Sequence, residues 1–177
     1  SFFEAVIRPK THFLPPDSVR FAPDAAVAHY TSITNIGFSL LSTIVAHRFG
    51  FLSRERTLKK LNDTISTLER LERFRGHFYN WYNVETALPA PPPFISSVDS
   101  GNLLASLITV RQWLLKKESA PDPVQTLRGL RDMVHLIAER IPKTLAFQSF
   151  ADFWGTLLER VDSIPDTSSY ESVIHLC

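Results

Sequence analysis

The chain has 177 residues, enough for one domain with a substantial core, and its 44% hydrophobic and 21% charged content is that of a globular protein. Nineteen basic against 18 acidic residues leave a net charge of +1, which gives no reason to expect nucleic acid or an anionic membrane as partner. A single cysteine, Cys177, excludes an intrachain disulfide and fits a reducing compartment.

No basic-then-apolar leader opens the chain, and its first residue is serine, as expected of a piece of a longer parent. The most apolar window, Ile33 to Val45, is too short and too rich in Thr, Ser and Asn to span a bilayer. The fragment itself is expected to be soluble.

Residues 1–30 read as irregular structure after a short helical start, Phe2 to Ile7. The stretches LPPD (Leu14–Asp17) and FAPD (Phe21–Asp24) are turn chemistry, because proline holds φ and keeps the preceding residue out of the helical region. A helix is expected from Thr34 to about Phe49, with Ile36, Leu40, Ile44 and Ala46–His47 inward and Gly50 as its stop. Ser53 is placed to cap a second helix to about Glu72. Its Leu58, Leu61, Ile65, Leu68 and Leu71 recur at spacings of three and four, opposite a charged face.

Between Arg75 and Asn102 lies a long stretch, RGHFYNWYNVETALPAPPPFISSVDSGN, across which no helix is expected. Loops beyond ~12–15 residues inside a compact domain are uncommon and usually functional or disordered. Phe78, Tyr79, Trp81, Tyr82 and Phe94 make this one too aromatic for disorder, so it reads as an ordered loop that builds a site.

Asp99 or Ser100 is placed to cap a third helix to about Lys117, with Leu103, Leu107, Val110 and Leu114 inward. Asp122 and Pro123 open a fourth, lined by Leu127, Leu130, Val134 and Ile137, running to about Arg140 before Pro142. A fifth is expected over Leu145–Val161 and a weak sixth over Ser168–Leu176. Sustained period-2 alternation and tight hairpin turns are nearly absent. The fold class is therefore read as all-α, built of antiparallel α-hairpins, either as a single helical domain over 1–177 or as a fragment of a larger one.

Phosphate-binding glycine loops, HExxH, paired CxxC and GxSxG are missing, and the six histidines show no metal-ligand spacing, so no metal or other cofactor is expected. The strongest chemical cue is GHFYNWYN (Gly76–Asn83). Aromatic faces stack on the C–H-rich faces of sugars, while Asn and His bond hydroxyls. The same aromatics would equally serve to pack the loop onto the helices beneath it. VDSGN (Val98–Asn102) places Asp99, Ser100 and Asn102 at a helix start, where capping alone accounts for them. TNIG (Thr34–Gly37) carries the same ambiguity. Glycoside chemistry needs two carboxyl groups across the scissile bond. The loop offers only Glu85 and Asp99, and neither spacing marks a catalytic pair.

Taken together, FFEAVI…FLPPDS, VAHYTSITNIGFSLLS and RGHFYNWYNVETALPAPPPFISSVDSGNL resemble the central glycoamylase-like domain of cyclic β-1,2-glucan synthases, in the same order over Phe2–Leu115. The resemblance implies a bacterial inner-membrane parent that builds β-1,2-glucan from UDP-glucose, with this domain on the cytoplasmic side and engaged in transglycosylation that closes the ring. It implies an (α/α)6 barrel, of which this chain would be roughly half, the N-terminal part, and inactive alone. Carried over by motif, the barrel-mouth residues fall at Thr34 and Asn35, His77, Asn80, Trp81 and Tyr82, and Asp99, Ser100 and Asn102. Trp81 and Tyr82 would stack on glucose, and Asn80, Asp99 and Asn102 would bond its hydroxyls. Where the family commonly has Asp after YNWY, this chain has Asn83, which cannot act as a carboxylate acid or base. The implied partners are a β-1,2-glucan or related glucoside and the remainder of the parent polypeptide. The competing expectation is a non-catalytic helical interaction module whose uncovered apolar helix faces join copies into a homo-oligomer.

Overall fold

The computed structural model describes residues 6–116 and 123–140, together with 155–156, 159–160 and 163. Its helices are α1 (Ile33–Arg48), α2 (Arg54–Arg70), α3 (Ser97–Leu115) and α4 (Pro123–Arg140). Short strands stand between them: β1 (Val19–Arg20), β2 (Ala26–Val27), β3 (Tyr30–Ser32), β4 (Arg73–Phe74), β5 (His77–Phe78) and β6 (Trp81–Asn83). The helices expected over Leu145–Val161 and Ser168–Leu176 fall outside the described residues but for a few positions, as does the start of the one expected at Phe2.

Strands are where the all-α expectation needs correcting. β1 pairs with β2, β3 with β6, and β4 with β5, each antiparallel. They escape period-2 analysis because each is two or three residues long, below the length at which alternation shows. One hairpin does carry a turn signal. Arg75 and Gly76 both take positive φ, +50° and +88°, as the two-residue turn between Phe74 and His77 requires.

The chain divides into two compact units, Ser1–Val45 with Arg54–Lys117, and Ala46–Ser53 with Glu118–Cys177. The core of the first unit is built by Ile33, Ile36, Leu40 and Ile44 of α1, Leu61 and Leu68 of α2, and Leu103, Val110 and Trp113 of α3, around Leu14, Tyr82 and Val84. On α3 the buried stripe is Leu103, Ser106, Val110 and Trp113, whereas Leu114 faces solvent. The small Ser106 explains the choice of stripe. A methyl group on Gly37 would lie 2.7 Å from Ser106 Oγ and 3.5 Å from Leu103 Cα, so α1 and α3 meet there almost backbone to backbone.

α2 buries Leu61 and Leu68 as expected, and beside them three threonines. Leu58 is exposed, while Thr57, Thr64 and Thr67 are buried. Thr67 donates to the His12 carbonyl at 2.7 Å and Thr64 to that of Phe13 at 3.3 Å. Both acceptors sit on left-handed residues, φ +50° and +58°, whose carbonyls no regular element serves. The hydroxyls anchor the turn that drives Leu14 into the core.

In the second unit Gly50 ends α1 as expected. At φ +78° it lets Phe51 N donate to Ala46 O and Gly50 N to His47 O, both at 2.9 Å, which satisfies the last-turn carbonyls. α4 spans Pro123–Arg140, the bounds expected. Val134 is its buried apolar residue among those described, with Leu130 and Ile137 about half exposed. Gly129 packs against the α1 terminus: a methyl group there would strike Phe49 O and lie 2.7 Å from Gly50 C. Backbone cannot rotate away as a side chain can. Gly129→Ala is therefore expected to destabilise the chain by about 1–3 kcal/mol despite the better helix propensity of alanine, read as a lower urea midpoint.

Candidate functional site

The site starts from the β3–β6 ladder, which sets Thr31 opposite Tyr82, Ser32 opposite Trp81 and Tyr30 opposite Asn83. Alternate residues face opposite sides of a sheet. Thr31 and Tyr82 enter the core with no exposed surface, and Tyr30 and Trp81 share the other side. There they line a cleft of about 370 Å³ with Asp17, Ala28, Phe94 and the Ala90–Pro92 segment. Two backbone bonds clamp that segment along Trp81: Ala90 N donates to Trp81 O at 2.9 Å, and Asn80 N donates to Phe94 O at 2.8 Å. Prolines suit this wall because each holds its own φ and needs no donor satisfied.

Behind Trp81 stands a polar chain. Asn80 is 5% exposed. An indole nitrogen can only donate and a carboxylate only accept, which orients the Asn80 amide between them. Its oxygen accepts from Trp81 Nε1 and its nitrogen donates to Asp99 Oδ2, both at 2.9 Å. Asp99 also accepts from Thr34 Oγ1 at 2.6 Å and from Ser96 Oγ. Asn102 Nδ2 donates in turn to Thr34 Oγ1 at 3.2 Å.

The helix start explains how Asp99 comes to be there. Ser96, not Asp99 or Ser100, is the N-cap of α3, accepting from Asp99 N at 3.2 Å. The capping serine and the acid at the third helical position satisfy each other, so the helix starts earlier than expected and its first residues belong to the stretch read as helix-free. Asp99 is thereby free to point its carboxylate toward β6. Ser100 only closes the cap, its hydroxyl donating to Ser96 O at 2.7 Å.

Of the candidates read from sequence, Thr34, Asn80, Trp81, Asp99 and Asn102 are joined in this one network. Asn35 sits beside it and donates to Asp17 Oδ1 at 2.7 Å, aligning that carboxylate at the cleft. His77 stands apart, exposed on the β4–β5 hairpin and sharing no hydrogen bond with the other candidates. Tyr82 requires correction as a stacking residue. Its ring has no exposed surface, and its hydroxyl donates to Glu72 O at 2.7 Å and accepts from Tyr79 N at 2.9 Å.

Asp17, Tyr30 and Phe94 of the cleft were not among the candidates. Phe94 was visible as a loop aromatic. The other two lie in segments whose only sequence signals are a proline turn and a three-residue strand. Asn83 proves to be a turn residue: its side-chain oxygen accepts from Glu85 N at 2.8 Å and Thr86 N at 3.0 Å. A carboxylate there would accept the same two bonds, so Asp and Asn are equivalent in this role. Glu85 faces Lys10 at 3.3 Å and His29 at 4.0 Å. Among the described residues that line the cleft, Asp17 is the one carboxylate.

This helical fold is that of glucoamylase-like proteins. Crystal structures of candidate glucoamylases from Bacteroides fragilis NCTC 9343 and Bacteroides caccae ATCC 43185 each match with a TM-score of 0.54 at 22% identity, over 73% of this chain and 32% of theirs. The sequence resemblance to cyclic β-1,2-glucan synthases is shown by one relative in particular: over 142 residues, 79% of the chain, it is 39% identical to the cyclic β-(1,2)-glucan synthase NdvB of Rhizobium meliloti (strain 1021). The chain spans 5% of that relative's length. No family model matches. No helix among the described residues is long and apolar enough to cross a membrane.

Burial pushes the Tyr82 hydroxyl from its usual 10 up to about 12. The unfolded chain then loses this proton at lower pH than the folded one. The resulting stability is complete below pH 10 and is lost as pH rises toward 12. Urea titrations should show that loss in the native chain. Tyr82→Phe should lower stability by about 1–3 kcal/mol at pH 8, because the Glu72 carbonyl and Tyr79 N–H lose their partner, and should flatten the alkaline slope.

Proposed function

We propose that this chain is a glucan-binding piece of a cyclic β-1,2-glucan synthase, from the domain that binds β-1,2-glucan chains and transglycosylates or cyclises them. The observation that carries the reading is the face of Trp81 at the cleft. Its ring edge is held by Asn80, and its face stands with Tyr30 and Phe94 around a volume suited to a sugar ring. Asp17, aligned by Asn35, supplies an acceptor for a hydroxyl. The similarity to NdvB supports glucan as the ligand and a long parent polypeptide. That parent is proposed to lie in the bacterial inner membrane, with this piece on its cytoplasmic side. Catalytic carboxyls then belong to other parts of the parent, and the isolated piece binds without turning over.

Linear β-1,2-glucan titrated against tryptophan fluorescence should saturate, with β-1,3-glucan as the weaker control. Trp81→Ala should weaken binding about tenfold, some 1.4 kcal/mol, and leave the fold intact, since Trp81 is not a core residue. Unchanged affinity in the folded variant would sink the assignment.

A second reading rests on α3. Leu104, Ile108 and Leu115 are half or more exposed on the side away from Leu103 and Val110, an apolar face of the kind that marks a partner surface. As an interaction module the chain would self-associate through it. Light scattering decides: a concentration-dependent dimer abolished by Ile108→Lys supports this reading, and a monomer at all concentrations removes it.

A further inference from the structure

We infer that Asp99 is a positioning residue, which holds the Trp81 ring for sugar through the Asn80 amide and does not itself contact the ligand. This rests on the reading of Trp81 as the stacking ring.

The direction of each hydrogen bond sets what the next residue must do. The indole nitrogen of Trp81 is a donor with no capacity to accept, so Asn80 turns its oxygen toward it. That leaves the Asn80 nitrogen facing position 99 at 2.9 Å, and the residue there must accept. Position 99 receives two further donors, the hydroxyls of Thr34 and Ser96. A carboxylate offers about four lone-pair sites, and three are taken by protein donors. It is therefore largely spent before any ligand arrives. A buried amide anchored at both ends cannot flip without leaving a donor facing a donor, so the Trp81 ring keeps one orientation.

The network also joins segments far apart in sequence. Thr34 is 65 residues from Asp99, and Asn102, 68 residues from Thr34, closes the far end. Because Gly37 and Ser106 let α1 and α3 approach closely just beyond Thr34, the distance over which Thr34 reaches Asp99 is set by helix packing. The packing of the two helices is thus transmitted to the ring at the cleft.

Substituting position 99 distinguishes positioning from direct action. Asp99→Ala removes the acceptor and frees the amide. Asp99→Asn keeps one: its amide oxygen accepts from Asn80, and its nitrogen donates to the Thr34 hydroxyl, which can rotate to accept. A carboxylate that touched sugar or moved a proton would be lost equally in both.

The first readout needs no ligand. In a nitrogen-15 NMR spectrum of the full chain, Asp99→Ala should speed hydrogen exchange of the Trp81 indole N–H by about tenfold or more, while Asp99→Asn stays within about threefold of the native rate. The second readout is affinity for linear β-1,2-glucan. It should fall about tenfold in Asp99→Ala, be largely kept in Asp99→Asn, and show no further loss when Asp99→Ala is added to Trp81→Phe, which has no N–H to hold. Equal loss of affinity in Ala and Asn variants, with Trp81 exchange unchanged, would overturn the proposal and make Asp99 a ligand contact. Should Asp99→Ala not fold, Asn80→Ala breaks the same relay, and unchanged indole exchange there overturns the proposal too. If Trp81→Ala leaves glucan binding intact, the stacking reading fails by itself, and the exchange measurement still decides whether Asp99 holds the ring.

Discussion

The pairing of β3 with β6 is the constraint on which the first unit of this molecule depends. Only three residues of each strand take part, yet they bring Tyr30–Ser32 against Trp81–Asn83, about fifty positions apart in the chain. Strand alternation then sorts the residues. Tyr82 and Thr31 go inward and complete the core, while Trp81 and Tyr30 go to the cleft. A shift of one residue would exchange these roles and put a tryptophan in the space of a buried tyrosine whose hydroxyl is bonded at both ends. Core packing and site geometry are therefore the same decision.

Polar groups do much of the work that apolar packing does elsewhere. Threonines of α2 hold the left-handed His12–Phe13 turn, the Asn83 side chain closes the turn after β6, and Asp99 gathers donors from α1, from its own cap and from the segment before β6. Each of these groups is satisfied by a specific partner, and that is what makes the arrangement unique rather than merely compact. A cleft walled by rings and prolines and edged by one aligned carboxylate is the outcome.

Relatedness to a glucan synthase and the fold of glucoamylase-like proteins come from independent comparisons and agree. They also show that this chain answers to a small part of a much longer relative. The division of labour proposed above, with ligand contacts here and bond-making elsewhere in the parent, is built on that partial coverage.

The helices of α1, α2 and α4 were legible to within a few residues because their apolar spacing, stops and first-turn proline are local signals. GHFYNWYN stood out too, through its density of aromatic and amide groups, whereas VDSGN read as a helix start. What no local rule could supply was the division of labour within those motifs. Adjacent Trp81 and Tyr82 look alike as ring-bearing residues, and only the register with β3 sends one to the cleft and the other to the core. Asp99 reads as a helix cap until Ser96 takes that place and turns the carboxylate toward Asn80. Asp17 and Tyr30 carry no signal until folding brings them to Trp81. Sequence determined where the helices form and which residue types stand between them, because propensity and periodicity act over a few residues. Tertiary structure decided which side chain faces the cleft, because that depends on strand register and hydrogen-bond direction between segments far apart in the chain.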